Sequence, residues 1–212
     1  MSERAYNFAA GPAMMPLPVL EQIQKDLPVF ENTGMSVMEM THRGKDFEDI
    51  FANTKALLRE LMEIPEDYAV LFLPGGATAQ FASVPLNMPR SGAVADYIDS
   101  GNFAHGAAEE ARKYGPVRVI ASSREENYTR IPDWTGKMNP DADYLHITTN
   151  NTIFGTHYSV LPEPAANVPL VADMSSNILG EWYDVKKFVV IYAGMQKNIG
   201  PAGACVRIAR RD

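Results

Sequence analysis

Apolar residues recur at helical spacing in two N-terminal stretches, Leu17 to Phe30 and Phe47 to Met62. In the second stretch the residues near one face are Phe47, Ile50, Phe51, Leu57, Leu58 and Leu61. A stripe of this kind is typical of an amphipathic helix that buries one face. The pattern predicts a helix in each stretch.

Beyond residue 67 the pattern changes to short β-branched or apolar runs. They are Tyr68 to Leu73, Gly92 to Ile98, Val117 to Ile120, Tyr144 to Thr148, Val168 to Ala172, Phe188 to Tyr192 and Ala204 to Ile208. Helix-like segments, Thr78 to Leu86 and Phe103 to Tyr114, separate the first of these runs. Alternating strands and helices predict an α/β fold with a mostly parallel sheet covered by helices on both faces. The polar stretch Ser122 to Asp143 is predicted to be a surface excursion within the domain.

Composition adds broad limits. The 212 residues include 46% hydrophobic and 21% charged residues, with a net charge of −7. These values indicate a globular chain and argue against a nucleic-acid or anionic-membrane partner. The single cysteine, Cys205, is expected to be a buried core residue, and a reducing cytoplasm is the expected compartment. No apolar run approaches the roughly 20 residues of a membrane-spanning helix.

Ligands of open α/β sheets bind beyond the carboxyl ends of the strands, so the turns there are the candidate sites. Gly75 and Gly76 precede a predicted helix, where backbone N–H groups and the helix dipole favour an anion, although a plain tight turn remains an alternative. Asp173 follows a buried strand. It could pair with a cation or a protonated ring nitrogen, or it could cap the next segment.

Two further turns carry cationic groups. Lys197 lies in a glycine-rich turn after an apolar strand, where partial burial would lower its pKa and make it a Schiff-base nucleophile, although a solvated loop lysine is the commoner alternative for an isolated lysine. His42 and Arg43 are adjacent and could hold a carboxylate or a phosphate, or could be surface residues. The remaining histidines have no partners at metal-ligand spacing, and no metal site is predicted.

An anion cup, a strand-end aspartate and a turn lysine are the contacts that pyridoxal phosphate requires. Together with other motifs, they make the chain resemble the phosphoserine aminotransferases, a class V family of fold-type I pyridoxal-phosphate enzymes. The motifs that carry this resemblance are Asn7 to Ala13, Ser36 to Lys45, Gly75 to Phe81, Val171 to Ser176 and Tyr192 to Gly203.

The resemblance implies roles for individual residues. Lys197 would form the Schiff base and move the proton between the substrate α-carbon and the cofactor, and Asp173 would keep the pyridine nitrogen protonated. His42 and Arg43 would bind the substrate phosphate or distal carboxylate, in an active site shared between two subunits of a homodimer. The remaining cofactor contacts would come from Ala77, Thr78, Phe103, Thr152 and Gln196.

The implied reaction moves an amino group between glutamate and 3-phosphohydroxypyruvate, giving phosphoserine and 2-oxoglutarate in serine biosynthesis, with a further role in pyridoxine biosynthesis in some organisms. The expected organisation is an N-terminal segment, 1–16, and an incomplete cofactor-binding large domain, 17–212. The C-terminal small domain of the family, with its α-carboxylate-binding arginine, is expected to be absent. The alternatives are another class V aminotransferase, or a catalytically incomplete fragment that binds the cofactor or forms dimers.

Overall fold

The computed structural model describes residues 4–88 and 94–211, and its main feature is a mixed seven-stranded sheet. The strands of this sheet are β1 (Tyr68–Pro74), β2 (Ala95–Asp99), β3 (Val117–Ser122), β4 (Leu145–Thr148), β7 (Leu170–Asp173), β8 (Val190–Gly194) and β9 (Ala204–Arg210). A separate two-stranded sheet contains β5 (Asn150–Asn151) and β6 (Thr156–His157). The helices are α1 (Leu17–Asp26), α2 (Lys45–Met62), α3 (Gly76–Asn87) and α4 (Asn102–Ala111).

The order of strands in the large sheet is β1-β9-β8-β7-β4-β2-β3. Every neighbouring pair from β8 to β3 is parallel, whereas β9 runs antiparallel to both β1 and β8. The parallel strands therefore end at one edge of the sheet, which is where such folds bind ligands. The prediction of a mostly parallel mixed sheet is confirmed.

Helices cover both faces of the sheet, as predicted. Leu58 and Met62 of α2 belong to one apolar cluster, with Ile147 and Ile191 of the sheet. A second cluster contains residues of α3, α4 and the opposite sheet face, including Phe81, Val84, Ala107, Ala108, Val171 and Tyr192. Each large aliphatic side chain buried in this way stabilises the fold by about 2 kcal/mol. Cys205 is fully buried in the second cluster, as expected.

Several predicted boundaries were wrong for local reasons. Helix α1 ends at Asp26 instead of Phe30, because Pro28 has no amide hydrogen with which to continue the helical hydrogen bonds. Helix α4 ends at Ala111 instead of Tyr114, and a turn leads into the Gly115-Pro116 dipeptide. Strand β2 begins at Ala95, while 92–93 of that prediction lie outside the described residues.

The stretch from Ser122 to Asp143 is more than a surface excursion. Tyr128 is buried, and Ile131, Trp134 and Met138 pack against the core. The apolar residues of this stretch stand among polar ones and have no regular spacing, so the sequence pattern did not predict that they would pack against the core. The two-residue strands β5 and β6 were also missed, because such short runs show no alternation.

The N-terminal part of the chain has little core of its own. Helix α1 has no buried residue, and Tyr6 and Phe8 are about nine-tenths exposed. The backbone of this segment is attached near the sheet edge, where the Ala13 N–H donates to the Gln196 carbonyl at 2.8 Å. The domain division at residue 16 stays a prediction.

Among the helices that the structure describes, none combines the length and apolarity needed to cross a bilayer.

Candidate active site

A cleft of about 620 Å³ lies at the carboxyl edge of the sheet, and the turns after several strands meet there. Asp173 and Lys197 supply the charged groups of its lining. The other described lining residues are Gly11, Pro12, Gly75, Gly76, Ala77, Thr78, Phe81, Phe103, Ser175, Gln196, Ala202 and Gly203. The size is within the usual range for a small-molecule site. The tertiary structure thus brings together three of the four turns singled out from the sequence.

The turn after β1 is a tight glycine turn, and it also leads directly into the N-terminus of a helix. Gly75 and Gly76 have φ values of +86° and +61°, a region that favours glycine, and a Cβ on Gly75 would lie 2.7 Å from the Ala79 Cβ. The turn also starts α3, whose N-cap provides no side-chain acceptor. First-turn amides that lack a side-chain cap are suited to an anion, so the tight turn is compatible with an anion cup, which stays a prediction.

Asp173 is the last residue of β7 and is only 2% exposed. Its Oδ1 accepts hydrogen bonds from the Ser175 N–H at 2.9 Å and the Ser175 Oγ at 2.5 Å, which stabilises the following turn. No other described residue donates to Oδ2, which leaves that oxygen available to a ligand in the cleft. Burial raises the pKa of the Asp173 carboxyl, while the Ser175 hydrogen bonds and the Lys197 charge act in the opposite direction.

Lys197 lies in the turn after β8, with its amine held inside the cleft. Nζ donates to the Thr152 Oγ1 at 2.6 Å and lies 4.0 Å from the centroid of the Phe103 ring. Partial burial lowers the pKa of Lys197, and the negative charge of Asp173 offsets part of this effect. A lysine with these surroundings is closer to a neutral nucleophile than a solvated one.

Local structure explains how the contacts of Lys197 are positioned. Thr152 lies in the turn between β5 and β6, and Phe103 lies in the first turn of α4. Gln196 is packed near the N-terminus of α3, since a Cβ on Gly194 would lie 3.0 Å from the Gln196 Oε1 and 3.3 Å from the Ala77 nitrogen. All the residues predicted to contact the cofactor line the cleft, except Thr152, which accepts a hydrogen bond from Lys197.

The structure does not bring His42 and Arg43 to this cleft. Both are exposed in the turn before α2, and neither belongs to the described lining. The turn is organised by its own backbone, with the Gly44 N–H donating to the Thr41 carbonyl at 2.9 Å. Within one copy of the described chain, the sequence-predicted substrate pair is separate from the lysine.

Sequence reasoning missed two parts of the site. Ser175 contacts Asp173 directly, and a short polar residue two positions after a strand-end aspartate is the signal that could have found it. Gly11 lies against Lys197, because a Cβ there would come within 3.0 Å of the Lys197 Cγ. No local signal predicts that contact, since the two residues are far apart in sequence. Among the described residues, no group of three or more His, Cys, Asp or Glu could hold a metal ion.

The chain belongs to the class-V aminotransferase family, whose family model matches residues 5–212. It is 54% identical to the phosphoserine aminotransferase of Bacillus thuringiensis subsp. konkukian, over 99% of this chain and 58% of that protein. The structure of the Bacillus circulans subsp. alkalophilus phosphoserine aminotransferase matches with a TM-score of 0.95 and 44% identity, over 100% of this chain and 58% of the other.

A third comparison bears on the cofactor. A phosphoserine aminotransferase from Trichomonas vaginalis, described as bound to PLP, matches with a TM-score of 0.92 and 36% identity, over 99% of this chain and 59% of that one. The chain thus spans somewhat more than half the length of the relatives it matches.

Proposed function

We propose that the protein is a phosphoserine aminotransferase, which uses pyridoxal phosphate to move an amino group between glutamate and 3-phosphohydroxypyruvate. The products in that direction are 2-oxoglutarate and phosphoserine, as serine biosynthesis requires. The observation that carries the proposal is the placement of Lys197, a half-buried amine held between Thr152 and Phe103 in a cleft that also contains Asp173. The similarity to phosphoserine aminotransferases supports the choice of substrates.

The donor set of the cleft fits pyridoxal phosphate. The α3 N-terminus, with Ala77 and Thr78, offers donors for a phosphate, and the free Oδ2 of Asp173 suits a protonated ring nitrogen. Phe103 offers an aromatic face, and Gln196 lies beside the anion cup. When bound, the cofactor supplies an electron sink for the pair released from the substrate α-carbon.

Lys197 has two tasks in this proposal. Its amine would be the nucleophile toward the cofactor aldehyde, whose oxygen leaves as water, and the lowered pKa favours the neutral amine that this needs. Nζ would also move the proton at the substrate α-carbon, first removing it and later returning one. Asp173 would hold the protonated ring nitrogen of the cofactor in place through its buried and oriented carboxylate.

Substrate binding is assigned to His42 and Arg43, with the site shared between two copies of the chain. Their exposure in the turn before α2 leaves them free to contact a second copy, which supports a homodimer. The arginine fork suits the phosphate of phosphohydroxypyruvate or the distal carboxylate of glutamate. A cytoplasmic location and a further part in pyridoxine biosynthesis belong to the same proposal.

One observation favours a second candidate, cofactor binding without turnover. The described lining of the cleft contains no arginine, and therefore lacks the usual bidentate partner of a substrate α-carboxylate. In this case the chain would bind pyridoxal phosphate at Lys197 but would not exchange amino groups with glutamate.

The first experiment adds pyridoxal phosphate to the purified chain, reduces it with borohydride and maps the modified peptide by mass spectrometry. We expect one main adduct on Lys197 and none on Lys197→Ala. Lys187→Ala, which removes an exposed lysine elsewhere, is the matched control and should keep the adduct. Label scattered over surface lysines in the wild-type chain would overturn the proposal.

The second experiment measures turnover with glutamate and 3-phosphohydroxypyruvate. The aminotransferase proposal predicts product formation, and a clean Lys197 adduct without product would favour the second candidate. If turnover occurs, Arg43→Ala should mainly raise the KM for the phosphorylated substrate. Equal losses in kcat and kcat/KM would contradict a binding role for Arg43.

A further inference from the structure

Ser175 makes more contacts with the strand-end carboxylate than any other described residue. It is 5% exposed, and both its backbone N–H and its hydroxyl donate to the Asp173 Oδ1, at 2.9 and 2.5 Å. Two donors on one oxygen fix the carboxylate plane more tightly than either alone. Because Oδ1 is occupied in this way, Oδ2 is the oxygen left for the cleft.

The same hydroxyl is itself held by a neighbouring strand. The Gly194 N–H donates to the Ser175 Oγ at 2.9 Å, and Gly194 is the last residue of β8. An oxygen that accepts from this amide must direct its own proton elsewhere, and the Asp173 Oδ1 is the acceptor within reach. Ser175 therefore connects the end of β7 to the strand that leads into the Lys197 turn.

We propose that Ser175 is the positioning residue for Asp173: its hydrogen bonds fix the carboxylate so that Oδ2 is directed at the ligand, and they favour the charged form of this buried group over the neutral one. The inference rests on the proposed function, because Asp173 needs this orientation as the partner of a protonated ring nitrogen. Ser175 acts through Asp173 and is not itself required to touch the reacting atoms.

The electrostatic surroundings of Asp173 show why such help is needed. Burial raises the pKa of its carboxyl, and the opposing influences are the Ser175 hydrogen bonds and the charge of Lys197. Tyr192 of β8 and Cys205 of β9 are close enough to be influenced by the Asp173 charge, and both have a pKa raised mainly by burial, with a contribution from that charge. Thr148, paired with Asp173 in the next strand, has a buried hydroxyl with no hydrogen-bond partner among the described residues.

The chain provides a matched control one residue away. The Ser176 Oγ accepts a hydrogen bond from the side-chain amide of Asn150 at 2.7 Å and donates one to the Asn150 backbone carbonyl at 3.0 Å. Within the described chain it makes no hydrogen bond to Asp173. Ser175→Ala and Ser176→Ala therefore remove the same atom from the same turn. Only the first removes a donor from the carboxylate, so a general loosening of the turn would affect both variants.

The test follows the Asp173 carboxyl by ¹³C NMR through a pH titration of the ligand-free chain. We expect Ser175→Ala to bind the proton about tenfold more tightly, with the midpoint at higher pH, since a hydrogen bond to a charged group is lost. Ser176→Ala should titrate like the wild-type chain. An unchanged midpoint in Ser175→Ala, or equal changes in both variants, would overturn the proposal.

A second variant protects the test if Ser175→Ala folds poorly. Ser175→Cys has nearly the same shape with a weaker donor, so its midpoint should move in the same direction by less. The borohydride experiment on the wild-type chain separates the two proposals. A Lys197 adduct with an unchanged Ser175→Ala titration would refute only the role of Ser175, whereas a shifted titration without an adduct would refute the proposed function.

Discussion

Asp173 and Asp99 occupy equivalent places, since each is the buried last residue of a parallel strand. The two carboxylates differ in their partners. Asp99 uses both oxygens: Oδ2 accepts from His105 at 3.2 Å and Ser122 at 3.1 Å, and Oδ1 accepts from Tyr128 at 3.0 Å. Asp173 has one oxygen satisfied and one left open to the cleft.

A carboxylate that only stabilises the fold differs from one available to a ligand in whether residues of the fold satisfy both of its oxygens. A buried charge is tolerated when donors within the fold satisfy it, and Asp99 meets that condition entirely from its own surroundings. The His105 ring extends this network, because its Nε2 lies 3.1 Å from an Arg124 guanidinium nitrogen, so Nδ1 is assigned the proton shared with Asp99. The incomplete satisfaction of Asp173 is instead what a ligand would complete.

The largest expected effect is on the satisfied carboxylate. Asp99→Asn replaces an acceptor with a donor and leaves buried donors without a partner, so it should lower the free energy of unfolding by about 3 kcal/mol. Urea denaturation of the ligand-free chain measures this loss. The Lys197 adduct should still form in the folded variant, and a stability equal to that of the wild-type chain would remove the distinction between the two aspartates.

The same substitution at Asp173 should have the opposite sign. The folded-state pKa of this group is raised, so its ionisation destabilises the ligand-free fold increasingly as pH rises from about 4 through that folded pKa. Asp173→Asn should therefore unfold at a higher urea concentration than the wild-type chain at neutral pH, while it loses affinity for pyridoxal phosphate. Denaturation at several pH values, with and without the cofactor, tests both statements. A variant that is less stable without cofactor at every pH would contradict them.

A single donor to Asp99 should contribute less than the whole network. Burial raises the pKa of Tyr128 to about 12, so its phenol remains a donor to the carboxylate at neutral pH. Tyr128→Phe keeps the ring and removes only this bond, for an expected loss of about 1 kcal/mol. Tyr114→Phe, on an exposed tyrosine, is the control and should change the unfolding free energy little.

The smallest effect is expected at the exposed side of the network. The His105 side chain is 29% exposed, so water can replace part of its interaction with Asp99. His105→Gln should cost about 0.5 kcal/mol. A loss as large as that of Asp99→Asn would mean that the histidine, and not the set of donors, satisfies the carboxylate.

The sequence predicted the α/β fold and several of the groups that line the cleft, because both depend on local signals. Strand runs, the glycine turn, Asp173 and Lys197 each stand out within a few residues, and the carboxyl edge of a parallel sheet brings such turns together. The sequence could not predict that Thr152 accepts a hydrogen bond from Lys197 or that Gly11 packs against the Lys197 side chain, because these contacts join distant parts of the chain. The apolar anchors Ile131 and Trp134 were missed for the same reason.

The amino-acid sequence by itself determined which groups this protein has for chemistry, and in what order they follow the strands. Only the tertiary structure decided how each is satisfied. Asp99 and Asp173 look alike in sequence, both acidic at the end of an apolar strand. One is surrounded by donors from α4, β3 and the following loop, and the other faces a cleft, because hydrogen bonding and burial depend on neighbours that folding brings together.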